Sequence, residues 1–308
     1  MRSGLEKKDT PIVVKILRSY LRTNLRGRTR LTLLASRMLS SLQFVPIYIE
    51  DCEPFYVDLR AGHQDLLEGS PWKNPPWEFA EQSIMRKIVK EGETVFDIGA
   101  NIGLHTVLLS KLIGAGGKLC VFEPNTDLLP QLELTVEGLK NATLHPFALS
   151  NKSETAALFV PENAAEMGSL ANWTSGRGDL GQTHTIDCEV RRIDDLIESG
   201  TIPQPDFIKC DVEGAELMVF QGGAKALNRA DAPVIMFEAN VHNAKGFGLK
   251  IGDAKNFLAN LTLPAYSFYE IQEDGSLIQN DEVHPVHSNI LAVPELRLAQ
   301  TLKLTRQQ

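Results

Sequence analysis

Asp97, Gly99, Ala100, Asn101 and Gly103 form a loop that could hold a small charged ligand. They lie where the apolar run Thr94-Val95-Phe96 breaks into glycines ahead of a leucine-rich helix pattern. Glycines at 99 and 103 allow a tight turn and a close approach of ligand to backbone. The helix start that follows aims free N–H groups and its positive end at the ligand. Dinucleotide sites use G-x-G-x-x-G, but here the middle glycine is missing and the spacing is G-x-x-x-G. Asp97, two residues ahead of the first glycine, opposes a pyrophosphate and suits a cation. S-adenosylmethionine carries an ammonium and a sulfonium, so the charge pattern favours it over NAD. Glu123 ends the next strand pattern, where an acid can bind ribose hydroxyls in either kind of site. Pro124 completes its turn, and His105, at the start of the helix, is a further ligand contact or a structural histidine.

A second concentration of chemistry is Ile208-Lys-Cys-Asp-Val-Glu-Gly-Ala-Glu216. Lys209, Asp211, Glu213 and Glu216 crowd the end of a buried strand and the start of a helix, where mutual repulsion perturbs protonation. Glu238 follows four apolar residues, and a buried acid needs a partner. Asp211, Glu213 and Glu238 are the candidate catalytic residues. His284 and His287 are alternative bases, although a lone histidine is more often structural. The three acids could instead hold Mg²⁺, but no histidine joins them at a diagnostic spacing, and metal-free catalysis is favoured.

These residues need a scaffold, and the pattern supplies one. Short apolar strands at 94–98, 118–124, 142–149, 205–212 and 233–241 alternate with helices near 104–112, 127–139, 194–199, 215–221 and 253–261. Alternation of this kind predicts an α/β fold with a mostly parallel sheet covered on both faces. Ligands then bind at the carboxyl ends of the strands, where the candidate residues lie. Residues 44–60 read as two short strands around a turn, 61–80 as an irregular loop holding Trp72 and Trp77, and 78–90 as a helix. Residues 151–192 read as one weaker strand and a polar loop. Three segments follow: a basic helical extension over 1–43, a lead-in over 44–84 that could cap the substrate, and a main domain over 85–308.

The 308 residues carry a net charge of −8, which argues against nucleic acid as a partner of the body. Residues 1–40 hold ten Lys/Arg against two acids, so that segment is +8 and the remainder −16. Ile12, Ile16, Leu17, Tyr20 and Leu21 share one face of the predicted helix. The plain reading is a basic helix packed on the body. Contact with an anionic membrane surface through residues 1–40 and a mitochondrial targeting segment are the alternatives. Four scattered cysteines, with no C-x-x-C, support neither zinc nor disulfides and fit a reducing, cytoplasmic setting.

Several motifs occur in order: VFDIGANIG, VFEPN, Phe147-Ala148-Leu149-Ser150, IDDL at 193–196, DFIKCDVEGAE at 206–216, PVIMFEAN at 233–240 and SNILAVP at 288–294. Together they resemble the FkbM family of S-adenosylmethionine-dependent methyltransferases over about residues 85–294. DFIKCDVEGAE is the most specific piece. The resemblance implies a class I methyltransferase (Rossmann-like), doubly wound fold. It also implies O-methylation of a small-molecule or glycan hydroxyl, on a sugar or polyketide-type acceptor. It puts Ala148 and Leu149 beside the adenine, Asp211 at the methyl-transfer centre, and Met167–Leu170 in a loop near the ligands. The helix after Glu123 departs from the family's pattern, ending LELTVEGLKN. An NAD(P)-dependent oxidoreductase is the competing reading, and a silent binding module the third. Acceptor specificity is expected from 44–84, 151–192 and 241–285.

Overall fold

The computed structural model describes residues 12–21, 42–49, 52–60, 78–175, 177–280 and 282–306, together with 23, 26, 31, 32, 34, 35, 38 and 39. Trp72, Trp77 and the remainder of 61–77 lie outside the described residues, as does most of 22–41.

The chain begins with α1 (Ile12–Leu21), the strand pair β1 (Val45–Ile47) and β2 (Phe55–Val57), and α2 (Phe79–Ile88). Then follow β3 (Thr94–Ile98), α3 (Leu104–Ile113), β4 (Lys118–Phe122), α4 (Leu129–Glu137) and β5 (Ala142–His145). A small insertion comes next: β6 (Ala148–Leu149), β7 (Glu154–Pro161) and β8 (Thr183–Arg191). The chain returns through α5 (Ile193–Glu198), β9 (Phe207–Cys210), α6 (Glu216–Gly222) and α7 (Ala224–Leu227). It ends with β10 (Val234–Asn240), α8 (Val241–Gly246), α9 (Asp253–Ala259), β11 (Tyr266–Ile271), β12 (Leu277–Gln279), β13 (His287–Pro294) and α10 (Glu295–Arg306).

Eight strands form one sheet in the order β12-β11-β13-β10-β9-β3-β4-β5. The run from β10 to β5 is parallel, and β13 joins β10 and β11 antiparallel. The chain winds outward from β3 to β5, then crosses back to place β9 on the other side of β3. That switch point opens a crevice at the carboxyl ends of β3 and β9.

Side chains alternate across each strand, so each strand feeds two cores. Phe96, Ile98, Phe122, Ile208 and Phe237 face one way, onto Leu196, Phe220, Leu227 and Leu258 of the helices after β8. Val95, Val121, Phe207, Met236 and Leu291 face the other way, onto Ile84, Leu108, Leu109 and Leu132 of α2, α3 and α4. Asp97 and Lys209 belong by this alternation to the second face, so their charges sit in an otherwise apolar layer.

The doubly wound sheet matches the sequence-based expectation, with several local differences. Residues 142–149 divide: β5 completes the main sheet, while β6 pairs with β8 in a separate three-stranded sheet. Residues 154–191 hold a long antiparallel hairpin rather than one weak strand. Its first strand, β7, buries Leu158 and Val160, while β8 interleaves the buried Cys188 and Val190 with polar residues and so forms no continuous apolar run. The short helix α8 and strand β12, and the terminal helix α10, are also additions.

On α1 the buried stripe is Val14, Leu17 and Leu21, whereas Ile12 and Ile16 are 77% and 62% exposed. The expected face through Ile12 and Ile16 is therefore corrected by a rotation toward Val14. The buried stripe joins β1 and β2 in one core with Ile102, Leu104 and Val107. The β1–β2 pair is fixed to α4, where Thr135 Oγ1 accepts from Tyr56 N at 3.0 Å and Gln131 Oε1 from Asp58 N at 2.8 Å. None of the described residues of 44–60 lines either cavity described below. Among the described residues, no helix is long and apolar enough to cross a membrane.

Candidate active site

A cavity of about 600 Å³ occupies the switch-point crevice. Gly99, Ala100, Asn101, His105, Glu123, Pro124, Ala148, Leu149, Asp211 and Glu213 all line it. Gly103 and Asp97 do not appear in its wall. Its wall carries the apolar Phe122, Leu128, Phe147, Ala148, Leu149 and Leu158 together with the charged Glu78, Glu123, Lys209, Asp211 and Glu213.

The glycines serve the protein's own packing. Gly99 has φ +76°, and a Cβ there would lie 1.8 Å from the Asp211 carbonyl oxygen. Only glycine lets the β3 turn press against the β9 turn. Gly103, at φ +90°, would drive a Cβ to 2.9 Å from Thr135 Cγ2; it sets the contact of α3 with α4. Asn101, also left-handed at φ 57°, donates its N–H to Glu123 Oε2 at 2.8 Å. Asn125 N–H donates to Glu123 Oε1 at 2.9 Å. Burial raises the Glu123 pKa, partly offset by those two N–H groups. Each of its oxygens keeps a lone pair for a ligand hydroxyl.

Asp97 is fully buried beneath the loop. Its Oδ2 accepts from Thr106 Oγ1 at 2.7 Å, and its Oδ1 faces Lys209 Nζ at 3.9 Å. The structure thus places Asp97 behind the cavity wall. Lys209 donates to the Gly99 carbonyl at 3.0 Å and lies 3.5 Å from Asp211 Oδ2. Burial pulls the lysine toward neutrality, but the carboxylates of Asp211 and Asp97 outweigh it and hold it charged. Lys209 therefore joins the β3 turn to the β9 turn.

A second cavity of about 230 Å³ adjoins the first. Glu78, His105, Lys209 and Asp211 line both. Glu238 opens only onto the smaller one, where His287 Nε2 lies 2.9 Å from Glu238 Oε1. His284 is in neither wall. His105 pairs with Glu78 at 2.7 Å. Burial alone would lower its pKa, but the Glu78 charge leaves it raised.

The candidate catalytic acids thus divide. Asp211 stands at the junction, Glu213 on the larger cavity and Glu238 on the smaller. Asn243, from α8, links the last two: its Nδ2 donates to Glu213 Oε2 at 2.6 Å and more weakly to Glu238 Oε2 at 3.5 Å. Burial, then the charges of Asp211, Glu238 and Glu216, push the Glu213 pKa well up, against the lowering hydrogen bond from Asn243. Glu238 is also raised by burial, against the lowering effect of His287. Among the described residues, no group of three or more His, Cys, Asp or Glu is arranged to hold a metal ion.

Glu216 serves the turn that carries these acids: its Oε1 accepts from Val212 N and Gly214 N. Burial, with the Glu238 charge, lifts its pKa to about 8. The unfolded chain loses this proton at the ordinary carboxylate value while the folded chain keeps it. Its stabilising share is present below that value and is lost as pH rises toward 8. The melting temperature is expected to fall from about pH 5 to about pH 8. Glu216→Gln, which keeps the acceptor oxygen, should flatten that slope; equal slopes in thermal melts would contradict the assignment.

Sequence reasoning missed Glu78, Glu81, Asn125, Asn243 and Asn289. A signal existed for the first two: Glu78, Glu81 and Met85 recur at helical spacing on one face. The loop at 165–170 does reach the cavity, as expected. Asn125 Nδ2 donates to the Ala165 carbonyl and Ser169 Oγ to the Glu213 carbonyl, which holds the loop over the site.

The cavity fits S-adenosylmethionine. Its apolar side chains suit a purine, Glu123 suits ribose hydroxyls, and the buried Asn101 Oδ1 has no partner of its own and remains open to a donor.

Comparison with known proteins agrees. The family model described as the methyltransferase FkbM domain matches residues 97–268. The hexuronic acid methyltransferase AglP of Haloferax volcanii is 28% identical over 165 residues, covering 52% of this chain and 64% of AglP. The chain thus matches less than two thirds of that relative's length. Among solved structures, the O-methyltransferase TomG of Streptomyces achromogenes is 10% identical, over 75% of this chain and 85% of its own, with a TM-score of 0.41. An S-adenosylmethionine-dependent O-methyltransferase of Thermotoga maritima is 12% identical over 84% and 95% of the two chains, with a TM-score of 0.37. With more than half of its length matched by that model, the chain belongs to the FkbM methyltransferase family, whose methyl donor is S-adenosylmethionine.

Proposed function

We propose that this chain methylates a hydroxyl oxygen on a sugar, glycan or polyketide-type acceptor. The observation that carries the reading is the junction of two cavities at Asp211, one shaped for the donor and one lined by Glu238 and His287. When bound, S-adenosylmethionine supplies a methyl group already activated by its positive sulfur. The chain's work is then to hold, orient and deprotonate. Glu123 takes the ribose, Phe147, Ala148 and Leu149 flank the adenine, and the Gly99–Gly103 turn meets the methionine end. Asp97 acts indirectly, by keeping Lys209 charged under that turn. Glu238 receives the acceptor proton, and His287 holds its carboxylate. Asp211 faces the methyl centre, with Glu213 beside it on the donor cavity.

A nicotinamide dinucleotide is the weaker reading. Glu123 suits both ligands, but the missing middle glycine and the family membership favour the methyl donor. Calorimetry decides between them: S-adenosylmethionine is expected to bind in the micromolar range and NAD not at all. Absence of S-adenosylmethionine binding at high micromolar concentration would overturn the proposal.

A further inference from the structure

The smaller cavity holds a carboxylate that the reading above leaves unused. Glu81 lies on α2, one helical turn after Glu78, and lines this cavity. Its Oε1 accepts from Asn289 Nδ2, while its Oε2 is buried with no hydrogen-bond partner. Asn289 is the register partner of Glu238 across β13 and β10, so their side chains stand on one face of the sheet. Glu81, Asn289, Glu238 and His287 therefore share one wall of a chamber that opens at Asp211 toward the donor cavity.

The charge around this chamber is unbalanced. Five carboxylates, Glu78, Glu81, Asp97, Asp211 and Glu238, meet three groups able to be positive, Lys209, His105 and His287. Each of the three is engaged: His105 with Glu78, His287 with Glu238, and Lys209 with Asp97 and Asp211. Glu81 forms no ion pair with any of the three, although His105 and His287 feel its charge. A second anion entering here would meet an excess of negative charge. Hydroxyl groups, as donors, would find acceptors at the free oxygen of Glu81 and at Glu238. The volume is below the roughly 300–1,000 Å³ of sites that hold a whole drug-sized ligand, so the chamber takes one end of an acceptor. Burial, with the Glu78 charge, raises the Glu81 pKa to about 7 against the lowering charge of His105, so its negative charge develops as pH rises through that value.

We propose that this chamber seats the reacting ring of the acceptor, and that Glu81 makes it a charge filter. It admits an uncharged, hydroxyl-bearing ring, or one carrying an ammonium group, and excludes a ring carrying a carboxylate or phosphate. The inference rests on the methyl-transfer reading above and names the acceptor class for the same site.

The test uses three probes built on one sugar ring: methyl glucoside, glucosamine and glucuronate. Their binding is followed by saturation-transfer NMR on the full chain with S-adenosylhomocysteine present, whose own affinity is measured by calorimetry. Wild type should bind the glucoside and glucosamine at least about tenfold more tightly than glucuronate, since like charges brought together cost several kcal/mol. Glu81→Gln should narrow that ratio by about tenfold while leaving the S-adenosylhomocysteine affinity unchanged. Equal binding of glucuronate and glucoside by wild type, an unchanged ratio in Glu81→Gln, or binding of none of the three overturns the filter alone. Failure of wild type to bind S-adenosylhomocysteine overturns the methyl-transfer reading, and the filter with it.

Discussion

Glu123→Ala is expected to weaken S-adenosylmethionine binding by about 100-fold. The side chain is 7% exposed and does two jobs at once. It holds the Asn101 and Asn125 N–H groups, so it fixes the turns after β3 and β4 against each other. It also offers its remaining lone pairs to the ribose. Hydrogen bonds to a charged group contribute about 1.5–3 kcal/mol each, and about 100-fold in affinity corresponds to roughly 3 kcal/mol. Alanine also strands two backbone donors, so the melting temperature should drop as well. Glu123→Gln separates the effects: it keeps one acceptor but turns an NH₂ toward a backbone N–H, and about a tenfold loss is expected. Calorimetry with S-adenosylmethionine reads both variants. An unchanged affinity in Glu123→Ala would remove the ribose assignment.

Lys209→Met should cost more in stability than any other single change at the site. The ammonium is buried between Asp97 and Asp211 and donates to the Gly99 carbonyl. Without it, Asp97 keeps only the Thr106 hydroxyl and becomes an uncompensated buried charge. Breaking a buried pair by removing one partner costs about 3–5 kcal/mol, roughly 5–10 °C in melting temperature for a chain of this size. The β3 turn loses its tie to the β9 turn, so donor affinity should fall too. Adding Asp97→Asn to Lys209→Met removes the stranded charge and should recover part of the loss. Equal melting temperatures for wild type and Lys209→Met would show that the buried pair is not what holds the two turns.

Much of the scaffold was legible because its strands are buried on both faces. Runs such as Leu119–Phe122 and Val234–Phe237 are apolar without interruption, and the helices between them carry clear stops. The hairpin over 154–191 was not, since half of its residues face solvent and its polar positions look like loop. Glu123 was readable from its place at a strand end. Asp97 was readable as a charge at the loop, and its alternation with Phe96 and Ile98 places the side chain on the face of the second core. The acceptor side was the least visible part. Glu81, Asn243 and the β13 pair His287 and Asn289 come from three separate elements, and the antiparallel return of β13 beside β10 brings the last two to Glu238. Sequence spacing carries no trace of that meeting. The helical spacing of Glu78, Glu81 and Met85 was the one local sign.

The most direct test of methyl transfer to oxygen uses ¹³C-methyl-labelled S-adenosylmethionine. The full chain is incubated with the label and a fractionated glycan and metabolite extract, and the products are read by ¹³C NMR. The account predicts a new O–CH₃ resonance that depends on the chain and is lost with Glu238→Gln. Label appearing only on nitrogen or carbon, or no transfer to any fraction by a chain that binds the donor, would contradict it.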